Sequence, residues 1–272
     1  MPAMKPLSTI LHPENISAHS PNLSQILSLE VVAETGSTNS DLLARLAQMG
    51  QPGTLSKPTM LLAEVQTAGR GRAGRSWLSE PGSSLTFSVA WPFPHAPQAL
   101  LGLPLAVGVA LAQALISLDV AVQLKWPNDV LKHGKKLAGV LVETASHGKQ
   151  TWAVIGIGLN LSIPTELEAQ IGHAVADATW LAQMDRNQLL AVLLNHLVGC
   201  LQQFSTSGLL KFVEPWNALH AYAGQSVNII DQGKIAQRGI ALGINSQGCL
   251  MLQNEFGVIN PVMVGDVSLR AD

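Results

Sequence analysis

The spacing of apolar residues changes along this chain, and each change marks an element. Short apolar runs bounded by turn residues predict strands at 29–33, 60–65, 85–91, 120–125, 137–143 and 152–161. Helical spacing covers 41–49, which stops at Gly50, and 186–204, where Asp185 with Gln188 three places on reads as a capping box and Gly208 as the stop. A shorter helix at 209–219 carries Pro215 and Trp216. The stretch 99–118 is apolar all round. It is long enough to cross a bilayer at about 20 residues. Yet Gly102, Pro104, Gly108 and Gln113 interrupt it and no basic cluster flanks it, so a buried core helix is expected rather than a membrane span. Before residue 29 the chain mixes Pro, Ser, His and Asn, with at most a short helix at 23–27.

Past Gly224 the texture shifts to short strands at 227–230, 235–244, 249–253 and 258–264. They are punctuated by Asp231-Gln232-Gly233, Asn245-Ser246-Gln247-Gly248 and Asn254-Glu255-Phe256-Gly257. Strands and helices that mix without a regular alternation predict an α+β fold with a mixed sheet, followed by a small β-barrel. The expected division is an N-terminal extension at 1–28, a main domain at 29–222 and a small β domain at 223–272.

Composition narrows the class. Of 272 residues, 47% are hydrophobic and 12% charged, enough for a sizeable core. Sixteen Lys+Arg against eighteen Asp+Glu leave a net charge of −2, which argues against a nucleic-acid partner. Cys200 and Cys249 form no disulfide framework and no metal-ligand spacing, and Cys200 lies in a helical run as a core thiol would. No long apolar segment opens the chain, so a cytoplasmic protein without a signal peptide is expected.

Against this slightly acidic background, residues 69–75 read Gly-Arg-Gly-Arg-Ala-Gly-Arg, with Trp77 two places on. Glycines let the backbone approach a ligand closely, and arginine forks suit phosphate or carboxylate. The loop is built to close over an anionic small molecule. It also satisfies G-x-G-x-x-G through Gly69, Gly71 and Gly74. A dinucleotide site needs a helix opening on the last glycine and an acid roughly 20 residues on. Pro81 and Gly82 spoil the helix, and Val89, Ala90 and Trp91 stand where the acid belongs.

Four further clusters surround this loop: Ser37-Thr38-Asn39, Lys125-Trp126-Pro127-Asn128-Asp129, the run Lys136-Leu137-Ala138-Gly139-Val140-Leu141-Val142-Glu143, and Gly156-Ile157-Gly158-Leu159-Asn160. Alone, each has a bland reading. Ser37-Thr38-Asn39 would serve equally as a helix cap, Lys136 as a solvated hairpin residue, and Gly156 and Gly158 as a strand packed under a helix.

Together and in this order, from about residue 30 to the C-terminus, the motifs resemble the biotin protein ligases. The resemblance implies a class II synthetase-like catalytic domain with a small C-terminal SH3-like barrel. It implies a two-step reaction: biotin and ATP give biotinyl-5′-AMP, and the acyl group then passes to a lysine of the biotin carboxyl carrier protein of acetyl-CoA carboxylase. By the resemblance, Ser37, Thr38, Asn39, Gln66, Gly71, Trp77 and Gly139 bind biotin, with Trp77 packing on the adenylate as the loop closes. Arg70, Arg72 and Lys136 touch both biotin and phosphate and carry the catalysis, while Arg75 adds charge at the loop's far end. Trp126, Asn128, Asp129 and Asn160 form the nucleotide side, with Asp129 holding Mg²⁺ through water. The aromatic residue that some relatives place over adenine would fall near Ala174, with Trp180 further on. Some relatives carry a DNA-binding domain of about sixty residues in front, a size the N-terminal extension does not accommodate. Monomers and dimers both occur in the family, and a homodimer remains open.

Overall fold

The structure, a computed structural model, describes residues 10–50, 55–147, 150–171, 175–231, 234–263 and 267–271. Its centre is a seven-stranded mixed sheet in the order β1-β2-β3-β7-β6-β5-β4. The strands are β1 Ser28–Thr35, β2 Thr59–Gln66, β3 Ser84–Phe93, β4 Gln123–Lys125, β5 Asp129–Lys132, β6 Lys135–His147 and β7 Gln150–Asn160. Only β1 and β2 run parallel; every other neighbouring pair is antiparallel. The helices are α1 Pro13–His19, α2 Pro21–Ile26, α3 Thr38–Ala47, α4 Leu103–Ile116, α5 Thr165–Ile171, α6 Arg186–Ser207 and α7 Leu210–Ala218.

Period-two alternation divides this sheet. On β3 the odd positions Leu85, Phe87 and Val89, and on β7 Ile155, Ile157 and Leu159, enter one large core with α4, α6 and α7. The α4 helix is buried along nearly its whole length, as an apolar circumference requires. It forms most of Pro97–Ile116, which with α6 is long and apolar enough to cross a membrane, but 72% and 56% of the two spans are buried. On the other face, Leu42 and Leu46 of α3 meet Leu61, Ala90, Trp152 and Val154. That helix covers only part of the face; beyond its first turn the even positions Thr86, Ser88 and Gly158 are buried under other side chains, Trp77 lying against Gly158.

The caps behave as the residues dictate. Ser37 Oγ accepts from Ser40 N at the start of α3, and Asp185 accepts from Asn187 N at the start of α6. Two short helices, α1 and α2, replace the one expected near residues 23–27; Pro13 and Pro21 open them at first-turn positions. They are anchored to α6 through His12 N to Asn187 Oδ1 and Ser20 Oγ to Asn195 Oδ1. The expected helix at 99–118 begins at Leu103, after a 3-10 turn at Pro97–Leu100.

Five strands form a second, antiparallel sheet: β8 Ser226–Asp231, β9 Lys234–Ile244, β10 Leu250–Gln253, β11 Ile259–Val262 and β12 Val267–Ala271. Its order is β11-β10-β9-β8-β12, so β11 and β12 are its edges, where a barrel was expected. The hydrophobic core runs continuously into it through Val227, Ile229 and Ala241. Asn217 of α7 ties the junction, accepting from Ile244 N at 2.7 Å and donating to Ile244 O at 3.1 Å. His220 is buried beside it, stacked on Trp216 with ring centroids 4.8 Å apart. Neither of its ring nitrogens has a hydrogen-bond partner, and burial pushes its pKa down to about 4. Burial likewise pushes the Cys200 thiol up to about 12, so it stays protonated and inert.

Candidate active site

Two cross-strand rows make the floor of the site on the open face of the large sheet. The first runs Ser88–Gly156–Leu141 across β3, β7 and β6. The second runs Thr86–Gly158–Gly139–Asp129 and reaches β5. The two glycines of β7 are spaces for particular side chains. A Cβ at Gly156 would lie 2.5 Å from Asn39 Oδ1, and one at Gly158 would lie 2.2 Å from the Trp77 indole. Asn39 comes from the first turn of α3 and Trp77 from the end of the arginine loop. These glycines therefore receive side chains of the site itself.

The loop folds over this floor as a small hairpin. Gly71 N donates to Arg75 O at 2.7 Å and Trp77 N to Gly69 O at 2.8 Å. Ala73 and Gly74 both take positive φ, at 55° and 71°, which reverses the chain. Gly69 is required for space: a Cβ there would sit 2.4 Å from Trp77 O. Arg70 pairs with Glu143 of β6, and Arg72 Nη1 donates to Asn128 Oδ1 at 3.2 Å. Arg75 is exposed. The cavity beneath the loop measures about 50 Å³. Small-molecule sites span roughly 300–1,000 Å³, so with the loop and Trp77 placed as they are this space is smaller than such sites.

Polar groups line one end of the floor. Thr38 N donates to Gln66 Oε1 at 2.9 Å, Thr38 Oγ1 and Ser88 Oγ lie 2.6 Å apart, and Ser88 Oγ donates to Asn39 Oδ1 at 2.6 Å. Ser37, Thr38 and Asn39 are all buried, so capping and cavity lining coexist. At the other end Lys136 Nζ lies 2.7 Å from Asp129 Oδ1 and 5.7 Å from the Trp77 ring centroid. Lys125, which is buried, approaches the second oxygen of Asp129 at 3.9 Å. Arg70, Arg72, Lys125 and Lys136 thus gather with two carboxylates, Asp129 and Glu143, around a partly desolvated space.

Of the residues marked in the sequence, Ser37, Thr38, Asn39, Gln66, Arg70, Gly71, Arg72, Trp77, Asn128, Lys136 and Gly139 line this one cavity. Asp129 does not line it but pairs with Lys136, which does, and two others sit elsewhere. Trp126 was expected to wall the site, but it is fully buried in the core, and its indole N–H donates to Gly248 O at 3.2 Å. Asn160 was expected beside adenine, but it is 3% exposed, and its amide donates to Ala176 O at 3.2 Å and Lys136 O at 3.4 Å. Trp126 joins the two sheets, and Asn160 braces the backbone that carries Lys136. Ala174 lies outside the described residues, and Trp180 is half exposed.

The family model for the biotin/lipoate A/B protein ligases matches residues 37–160, and that for the biotin protein ligase C-terminal domain matches residues 222–270. The chain belongs to the biotin/lipoate A/B protein ligase family. It is 35% identical to the bifunctional ligase/repressor BirA of Escherichia coli K12, covering 90% of this chain and 74% of the relative. It is 38% identical to the biotin--[acetyl-CoA-carboxylase] ligase of Mycobacterium tuberculosis, covering 88% of each. Among solved structures it is similar to the biotin protein ligase of Aquifex aeolicus in complex with biotin and ATP, with TM-score 0.72 and 30% identity, covering 90% of this chain and 99% of that one.

Three residues of this family member escaped the sequence reading: Ser88, Lys125 and Glu143. Ser88 carries a signal in retrospect, a hydroxyl inside the apolar run 85–91 at the parity that faces away from the core. Lys125 and Glu143 stood inside quoted motifs, but their partners come from other strands and loops and have no linear signature.

Proposed function

We propose that this chain activates biotin with ATP and transfers it to a lysine of the biotin carboxyl carrier protein of acetyl-CoA carboxylase. One observation carries the reading: Arg72 and Lys136 converge on the same cavity as the uncharged hydrogen-bonding set Thr38, Asn39, Gln66 and Ser88. A ureido ring needs such neutral donors and acceptors, and a carboxylate meeting a triphosphate needs the cations.

In this reading the ureido group lies over the Ser88–Gly156 row, within reach of Ser37, and the bicycle and chain follow the groove that Trp77 covers. The backbone at Gly71 and Gly139 borders the chain. Arg72, held by Asn128, and Lys136, held by Asp129, neutralise the biotin carboxylate and the α-phosphate. A carboxylate oxygen then bonds to the α-phosphorus while the bond to the bridging oxygen breaks, and pyrophosphate leaves. In the second step the carrier amine attacks the anhydride carbonyl, loses its proton and displaces AMP. The loop excludes water while the anhydride waits.

Mg²⁺ is expected to enter with ATP, where it lowers the charge of the phosphates. Asp129 does not fit a resident metal ligand, because it already faces two ammonium groups. Among the described residues no three His, Cys, Asp or Glu side chains come together as a metal site. Phosphate oxygens and water would hold the ion, its usual company, with Asp129 reaching it at most through water. ATP and a folded carrier as co-substrates support a cytoplasmic reaction.

The test is direct. Purified protein with ATP, Mg²⁺ and biotin should release pyrophosphate and then label a carrier domain, while lipoate in place of biotin should give neither. Pyrophosphate release with lipoate and none with biotin would overturn the proposal.

A further inference from the structure

The polar residues behind the cavity form one continuous hydrogen-bonded chain, and it ends on a carboxylate with no part in the two-step chemistry. Glu143 Oε2 accepts from Asn39 Nδ2 at 2.8 Å and also from the guanidinium of Arg70. From Asn39 the chain continues to Ser88, Thr38 and Gln66. Glu143 is on the same sheet face as Gly139 and Leu141, and its side chain is 27% exposed.

Counting protons settles the direction of this chain. An ionised carboxylate only accepts. Asn39 must therefore turn its NH₂ toward Glu143, which leaves Oδ1 as an acceptor. Ser88 gives its single proton to that oxygen. The 2.6 Å separation between Ser88 Oγ and Thr38 Oγ1 requires a proton between them, and only Thr38 has one left. The 3.1 Å approach of Thr38 Oγ1 to Gln66 Oε1 then carries no proton, and Gln66 is held by Thr38 N instead. Thr38 presents only lone pairs to the cavity, the acceptor that a ureido N–H needs.

We infer that Glu143 is a positioning residue with two linked tasks: it sets the donor–acceptor polarity of the ureido-facing side chains, and it latches the arginine loop through Arg70. This inference rests on the biotin ligase reading for its substrate, though not for the latch. Both contacts end on one carboxylate oxygen. Loop closure and the readiness of the ureido end are thereby tied to one group, some distance from the anhydride.

Glu143→Gln and Glu143→Leu separate the tasks. Gln keeps an oxygen for Asn39 but drops the charge that Arg70 seeks, whereas Leu removes both. Four quantities are read: KM for biotin and kcat in pyrophosphate release, escape of biotinyl-5′-AMP onto free amines, and trypsin cleavage within residues 70–75 without substrates. Glu143→Gln should speed loop cleavage and intermediate escape while shifting the biotin KM by no more than about twofold, the scale of an exposed ion pair. Glu143→Leu should do the same and also raise the biotin KM by about tenfold, the scale of a lost buried hydrogen bond. Loop cleavage unchanged in both variants, or an equal KM in Gln and Leu, overturns the assignment. If Glu143→Leu does not fold, the split between cleavage and KM in Glu143→Gln decides alone. If the parent protein makes no adenylate from biotin yet Glu143→Gln still frees the loop, the substrate reading fails and the latch stands.

Discussion

The two faces of the ribbon formed by β3, β7 and β6 use one backbone for opposite ends. On the odd face of β3 and β7, Phe87, Val89, Ile155 and Ile157 are all buried at 3% exposure or less. On the even face of the same two strands stand Thr86, Ser88, Gly156 and Gly158, small or hydroxylated, with Asn39 and Trp77 laid on them. The first face supplies stability through apolar area, about 25 cal/mol per Å² buried. The second gives that up, keeping its volume for side chains that arrive from a helix and a loop. A slip of one residue in register would exchange the two sets. Fold stability and chemistry are thus specified by the same strand pairing.

The comparison can be broken from either side. The largest effect should come from the packed face: Phe87→Ala should cost about 3–5 kcal/mol in denaturant unfolding, the range for a buried aromatic truncated in a core. A loss under about 1 kcal/mol would mean that this face does not carry the core. Next, Lys136→Ala should slow biotinyl-5′-AMP formation by about 10²–10³-fold, the scale of one electrostatic stabiliser, with its melting temperature unchanged. A parallel loss of melting temperature would put Lys136 in the framework instead.

A smaller effect tests the glycine floor. Gly158→Ala places a methyl where the Trp77 indole lies, at a strain of about 1–3 kcal/mol. The indole should lift, and biotinyl-5′-AMP should escape faster, while Phe87 and its neighbours stay packed. Retention of the intermediate at the parental rate would separate Trp77 from loop closure.

The least effect concerns acid, far from both faces. His220 titrates near its ordinary 6.5 in the unfolded chain and at about 4 when folded. Between those values the unfolded chain binds the extra proton, so stability should fall as pH drops from 6.5 toward 4 and be unaffected by this group above 6.5. His220→Phe should flatten that acid flank, as read by thermal melts at pH 7 and pH 5. An identical slope in the variant would acquit His220.

Much of this arrangement is visible in the linear sequence because it follows local rules. The alternation through residues 85–91, the cap at Asp185 and the turn chemistry at His133-Gly134 all act within a few residues. His133 and Gly134 indeed take φ of 51° and 73° at the tip of the β5–β6 hairpin. The motifs likewise brought eleven residues to one cavity. What stayed hidden depends on distance. Trp126 and Asn160 carry polar atoms that could face a nucleotide, but their partners, Gly248 and Ala176, lie in segments whose approach no spacing reveals. The partnership of Arg70 with Glu143 spans 73 positions. The strands at 129–132 and 267–271 were missed because each is short and takes its form from a neighbour.

The glycine pair Gly139 and Gly158 limits how the enzyme could be re-tuned. They face each other across adjacent strands with no side chains to trim, so the bed beneath the substrate is already as deep as a polypeptide can make it. Room for a bulkier carboxylic acid would have to be carved from the roof, at Trp77, and in the proposed reaction that is the same group that shields the mixed anhydride from water. Broader appetite and tight custody of the activated acid would then trade against each other at a single indole.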